Sequence, residues 1–271
     1  RTGAHLESHA CVLRLGRVLW WTVNTMAPDV RRRAGERWGP RETEEAERLW
    51  EERDRSKWLW HLPLTEIPDH VLSGMAPHWR SWLADHATDH FGFLEKHRLV
   101  EVPALITTGW NDQQIGAIKH FTGMSENAKT KNAREGTRLI VGPWTHTETD
   151  WVAEVGQMEF GPEAARDYEN TLDLWFSRWL KGERNEVDDW PRVQLFVMGA
   201  NRWRTSDRWP LPNTVYTDFY LHGSGSANTA GGDGTLSREP PGDEPADTYV
   251  YDPRDPVMTL YTPSGQNEPQ D

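Results

Sequence analysis

The sequence has little of what would place it at a membrane or on nucleic acid. Across its 271 residues no apolar run approaches the ~18–20 needed to span a bilayer, and the most apolar stretch, Val18 to Trp21, is far shorter. Lys and Arg number 30 against 42 Asp and Glu, a net charge of −12. Phosphate binding needs a basic face, so this balance argues against a nucleic-acid partner. Cysteine is nearly absent. Cys11 alone forms no internal disulfide and has no activating neighbour in sequence, which favours a reducing, cytoplasmic compartment without fixing it. Nothing near Arg1 has the charged, apolar and small-residue order of a signal peptide, and the start on Arg rather than Met reads as a chain cut from something longer. Aromatics, by contrast, are plentiful: sixteen tryptophans sit in a chain of mean hydropathy −0.79. Disordered segments are poor in aromatics, so this is a folded chain with much indole to bury or to offer a ligand. Its length fits one large or two ordinary domains.

Residues 1 to 98 have helical texture. Glu42 to Trp60 is built of strong helix formers, with Ala46, Leu49 and Trp50 on one side, and Trp79, Trp82, Leu83, His86, His90 and Leu94 recur at three- and four-residue steps. The texture changes near Val102. Pro103-Ala-Leu-Ile-Thr-Thr-Gly109 is a short apolar, β-branched run ending in glycine, Arg138-Leu-Ile-Val-Gly-Pro143 is a second one closed by Gly-Pro, and Ile115 to Ala128 between them has helical period. Strand, helix, strand with short turns is the pattern of a parallel sheet. A further amphipathic helix is expected from Pro162 to Gly182, with Ala165, Tyr168, Leu172, Trp175, Phe176 and Trp179 as its apolar stripe. From Val193 the period becomes two, through Val193–Met198 and again through Val215–His222, which predicts antiparallel β structure.

Each α/β strand ends on a group that can do chemistry. Gly109-Trp-Asn-Asp112 follows the first and Gly142-Pro-Trp-Thr-His146 the second. Open α/β sheets bind ligands at the carboxyl ends of their strands. A carboxylate that accepts from imidazole Nδ1 there leaves Nε2 free to act as a base. Asp before His, 34 residues apart, is also the order of α/β-hydrolases, in which the serine comes first. The plainer alternative is a turn Asp and a surface His. Trp110 and Trp144 flank the two groups and either wall a substrate pocket, together with Gln114, or pack structurally. His86 and His90, at i and i+4 beside Asp85 and Asp89, have the spacing of a zinc helix but lack its adjacent Glu and a third ligand, so no metal is assigned. Arg31-Arg32-Arg33 reads as a solvated helix face.

These residues carry a resemblance. Ala104-Leu-Ile-Thr-Thr-Gly-Trp-Asn-Asp112 and Leu139-Ile-Val-Gly-Pro-Trp-Thr-His146 resemble the acid and histidine motifs of the CocE/NonD hydrolases, the cocaine-esterase and X-Pro dipeptidyl-peptidase-like group. Trp175-Phe-Ser-Arg-Trp-Leu-Lys-Gly182, Val193-Gln-Leu-Phe-Val-Met-Gly-Ala-Asn-Arg-Trp-Arg204 and Tyr251-Asp-Pro-Arg-Asp-Pro256 extend it over residues 58 to 258. The resemblance implies the C-terminal part of an α/β-hydrolase domain over 99–185, with a helical cap insert over 1–98. A jelly-roll β-sandwich, incomplete, is implied over 186–271. It implies Asp112 as triad acid, His146 as general base, no cofactor, and a small-molecule ester or amide/peptide substrate. Many members carry an aromatic residue where Gln114 stands, so an aromatic acyl pocket is not implied. The family's nucleophile lies on a Gly-x-Ser-x-Gly elbow, which no serine here satisfies; Gly123-Met-Ser125-Glu-Asn127 lacks the second Gly. The expectation is that the serine lies upstream of Arg1 and that this chain alone is inactive. The other readings are a catalytically dead protein that binds ligand through its β region and tryptophans, or a metal-dependent hydrolase. Assembly with a second copy is left open.

Overall fold

A computed structural model of the chain describes residues 8–9, 12–13, 15–84, 94–112, 116–146, 151–156, 158–252 and 254. After a short antiparallel pair, β1 (Ser8–His9) and β2 (Val12–Leu13), the first part is helical. Helices α1 (Leu15–Trp21) and α2 (Ala27–Ala34) are joined through a π-turn, as are α3 (Thr43–Leu49) and α4 (Arg55–Trp58). Helices α5 (Asp69–Leu72) and α6 (Ala76–Ala84) follow. Their apolar faces meet in one core of Leu19, Trp50, Trp58, Ile67, Leu72 and Trp79, so the helical unit buries much of its tryptophan against itself. His86, His90, Gln114 and Cys11 lie outside the described residues.

The basic triplet on α2 is corrected at its first member. Arg32 and Arg33 are exposed, but Arg31 is buried, and its guanidinium donates to the carbonyls of Pro40, His70 and Val71. A buried charge is tolerated only where hydrogen bonds replace its hydration, and three backbone acceptors do so here. Arg31 clamps two loops of the helical unit.

The second part is built on a four-stranded mixed sheet. Strands β3 (Leu105–Gly109) and β4 (Arg138–Gly142) run parallel in register, Gly109 opposite Gly142. Helices α7 (Gly116–Asn127) and α8 (Lys131–Gly136) make the crossover. One sheet face presents Ile106, Leu139 and Val141 to Phe121 and Met124 of α7. The other presents Ile140 to Trp144 and Trp151. Burial on both faces is why these strands read as continuous apolar runs rather than alternating ones.

A short antiparallel pair, β5 (Glu154–Val155) and β6 (Met158–Glu159), leads to helix α9 (Tyr168–Leu180). The expected start of α9 moves. Pro162 opens a separate 3-10 turn, and α9 begins after Asp167, whose side chain accepts from the Asn170 N–H at 2.9 Å. A capping carboxylate satisfies donors that proline, lacking one, cannot use. Of the expected stripe, Trp175 is buried, while Phe176 lies exposed beside it.

The run from Val193 also differs from its pattern. Strand β7 (Val193–Val197) joins β4 in parallel on one side and pairs antiparallel with β8 (Arg202–Ser206) on the other. Val193 through Phe196 are all buried, because Val193 and Leu195 face the α7 side while Phe196 packs on Phe160 and Trp203. Further on, only Tyr220–His222 (β9) of the expected 215–222 run is a strand, pairing antiparallel with Thr235–Ser237 (β10).

A contact ties the segment before β3 to α7. His97, 2% exposed, places Nε2 2.6 Å from Nδ1 of His120. Burial, and next the His97 ring, hold the His120 imidazole below its ordinary value of 6.5. A pKa lower in the folded than in the unfolded chain means protonation favours unfolding, so stability should decline as pH falls through 6.5. Urea midpoints compared at about pH 7.5 and about pH 5.5 should drop in acid, and His120→Gln should flatten that drop. An unchanged pH response in the variant would assign the acid sensitivity to other groups.

Candidate active site

The site is built where β3 and β4 end. Beyond the last ladder pair the two chains stay joined: the Trp110 N–H donates to Gly142 O at 2.8 Å and the Asn111 N–H to Trp144 O at 3.2 Å. The Asp112 N–H turns back to Gly109 O at 3.1 Å, closing a tight turn that presents the Asp112 carboxylate. So close a crossing leaves no room for a side chain. A Cβ on Gly109 would overlap the Trp144 carbonyl, and one on Gly142 would overlap the Trp144 ring. That requirement explains why both strands end in glycine.

The two loops bring the sequence-derived pair together. His146 Nδ1 lies 3.1 Å from Asp112 Oδ1 and 3.2 Å from Oδ2. The Asp112 side chain is 6% exposed and that of His146 is 43% exposed. A buried carboxylate beside a half-open imidazole can accept from Nδ1–H and so set the tautomer of the ring. Thr108 Oγ1 makes a long contact of 3.5 Å to Asp112 Oδ2.

The flanking tryptophans differ in role. Trp110 is 37% exposed, and its Nε1–H donates to Phe196 O at 2.6 Å, which fixes the ring at the rim of the site. Trp144 has no exposed surface. It stacks on Trp151 with ring centroids 4.2 Å apart, and its Nε1–H donates to Ala164 O. Of the two roles open to Trp144, packing is the one its burial fits. Ser125, the serine of the incomplete elbow, sits within α7 and accepts from Arg192 at 2.9 Å, so it is no elbow serine. Among the described residues no group of three or more His, Cys, Asp or Glu could hold a metal ion, and no helix is long and apolar enough to cross a membrane. Sequence reasoning missed Asn111, whose Nδ2 donates to Pro143 O at 2.6 Å. Its signal was its place between the two flagged residues Trp110 and Asp112.

A mixed sheet with a carboxylate and an imidazole at the carboxyl ends of neighbouring parallel strands fits the α/β-hydrolase class. Residues 7–148 match the model of the X-Pro dipeptidyl-peptidase (S15) family, and residues 185–269 match the X-Pro dipeptidyl-peptidase C-terminal non-catalytic domain. The chain belongs to this family of serine hydrolases, on its CocE/NonD-like side. It is 38% identical over 226 residues to the cocaine esterase of Rhodococcus sp. (strain MB1 Bresler), an alignment covering 77% of this chain and 37% of that protein. Among solved structures it resembles an aminopeptidase from a marine sediment Thaumarchaeota archaeon, with TM-score 0.54 and 26% identity over 70% of this chain and 31% of that one. A CocE/NonD family hydrolase from Staphylococcus aureus matches 44% of this chain and 19% of its own at 25% identity and TM-score 0.29. The chain thus spans little more than a third of the length of the cocaine esterase it matches.

Proposed function

We propose that this chain supplies the acid and the base of a serine hydrolase that cleaves an acyl ester or an amide/peptide bond in a small molecule. The observation that carries the reading is the Asp112–His146 pair, held at the carboxyl ends of two adjacent parallel strands. The nucleophile is a serine on a segment preceding Arg1. His146 Nε2 takes the proton as Oγ attacks the acyl carbonyl, then returns it to the departing alcohol or amine. Water, deprotonated by the same nitrogen, releases the acid from the acyl-enzyme. Asp112 stays ionised and stabilises the imidazolium. In this reading residues 1–98 form a cap over the site, and residues 186–271 belong to an incomplete jelly-roll β domain whose first two strands, β7 and β8, extend the hydrolase sheet. The esterase name of the Rhodococcus relative and the peptidase name of the family both fit this chemistry and differ in the leaving group.

A polypeptide extended upstream of Arg1 through a Gly-x-Ser-x-Gly segment should be labelled by a fluorophosphonate probe and hydrolyse simple acyl esters. Residues 1–271 alone should do neither. An extended protein that carries the elbow, folds, and still resists the probe would overturn the reading, and ligand binding without turnover would take its place.

A further inference from the structure

We infer that Asn111 is a positioning residue that sets the Asp112–His146 geometry by stapling the acid loop to the histidine loop. The inference rests on the reading of Asp112 and His146 as acid and base. Asn111 makes two hydrogen bonds across the gap: its N–H donates to Trp144 O at 3.2 Å and its Nδ2 to Pro143 O at 2.6 Å. Both acceptors lie within three residues of His146, and the donor is adjacent to Asp112.

The chemistry of the two loops suits a side-chain donor. Residue 143 is proline and has no N–H, so at that position the histidine loop offers only a carbonyl. Pro143 is buried, and a buried carbonyl needs a donor, which the Asn111 side chain supplies. The strand ladder cannot supply one, since it ends at Gly109 opposite Gly142. The Asn111 amide adds a side-chain bond to the two backbone bonds that continue the pairing past the ladder, and its short side chain tolerates little relative movement of the loops. Glutamine would be too long and aspartate would present an acceptor to an acceptor. The Asp112 and His146 side chains then meet as a consequence of backbone held on both sides.

The test uses the chain itself, with histidine labelled by 15N, in mildly alkaline buffer where imidazole is neutral. In the wild type, His146 should show Nδ1 protonated and Nε2 unprotonated. Asn111→Leu keeps the branched shape and removes the donor. It should move His146 toward the opposite tautomer, with Nδ1 shifting to the unprotonated range, and Asn111→Ala should do the same. Thr130→Ala removes the cap of α8, whose hydroxyl accepts from the Ala133 N–H, and serves as a destabilised variant that should leave the His146 tautomer unchanged. A His146 tautomer that survives Asn111→Leu, or that Thr130→Ala also shifts, overturns the proposal. Should both Asn111 variants fail to fold, the wild-type amide decides: one Nδ2 proton should exchange slowly with water, and fast exchange of both would overturn it. In the extended enzyme Asn111→Leu should lower kcat at least tenfold with KM little changed. If that enzyme hydrolyses nothing while the tautomer results hold, the catalytic reading fails and the staple stands. If it hydrolyses normally with Asn111→Leu, the staple alone fails.

Discussion

Asp112→Asn, made in a polypeptide that carries the nucleophile, should lower kcat by roughly 10,000-fold and leave KM close to its starting value, the size of loss known for this exchange behind a catalytic histidine. The mechanism is a change of tautomer. The Asp112 carboxylate accepts from Nδ1 through both oxygens, at 3.1 and 3.2 Å, and can only accept. An amide in its place offers N–H to Nδ1, which then carries the lone pair, and the proton moves to Nε2. A histidine protonated there cannot take a proton from serine. The magnitude decides between roles: four decades in rate correspond to about 5.5 kcal/mol. Loss of an ordinary hydrogen bond costs about 1 kcal/mol, less than tenfold. A drop under tenfold, measured as kcat on an acyl ester with the circular dichroism unchanged, would make Asp112 a structural acceptor and remove it from the mechanism.

What could be read from the sequence, and what could not, follows from the range of each interaction. The contact of Asp112 with His146 was legible because each sits directly after an apolar β-branched run ending in glycine, a signal contained in eight or nine residues. Parallel pairing of β3 with β4 was legible for the same reason, since a helical stretch of the right length separates them. Strand β7 was misread as the beginning of a wholly antiparallel unit. Its residues alternate in size but not in burial, and only the sheet contacts show that both faces are covered. Arg31 was misread because nothing local distinguishes it from Arg32 and Arg33; its partners Pro40, His70 and Val71 lie 9 to 40 residues away. Asn111 was quoted in the acid motif and assigned no role, since a turn asparagine has many local uses and its partner, Pro143, is 32 residues distant. The long helix α9 was placed by its stripe, but its start was set by a cap, Asp167, that competes with a proline signal five residues earlier.

The largest effect on stability is expected at Trp144, which links the sheet to the histidine loop. It is fully buried and stacked on Trp151 at 4.2 Å with planes 10° apart. Its ring leans on Trp203, and its Nε1–H donates to Ala164 O at 2.8 Å. Trp144→Ala removes the whole ring from a packed interior, a change that costs about 3–5 kcal/mol. Domains are stable by only about 5–15 kcal/mol in all, so the variant should lose a large share of its stability and lower its urea midpoint accordingly. Trp144→Phe separates the contributions. It keeps an aromatic face for Trp151 but leaves the Ala164 carbonyl without its donor, and it should fall between the wild type and the alanine variant. The position also couples stability to chemistry. Trp144 O receives the Asn111 N–H, and His146 follows two residues later, so collapse of the indole site should displace the imidazole as well. His146 in the Trp144→Ala chain should therefore lose its pairing with Asp112 under conditions where the helical unit, with its separate core, remains folded. A Trp144→Ala chain destabilised by less than about 1 kcal/mol would mean that Trp151 and Trp203 close the space, and the histidine loop would then owe its position to the sheet alone.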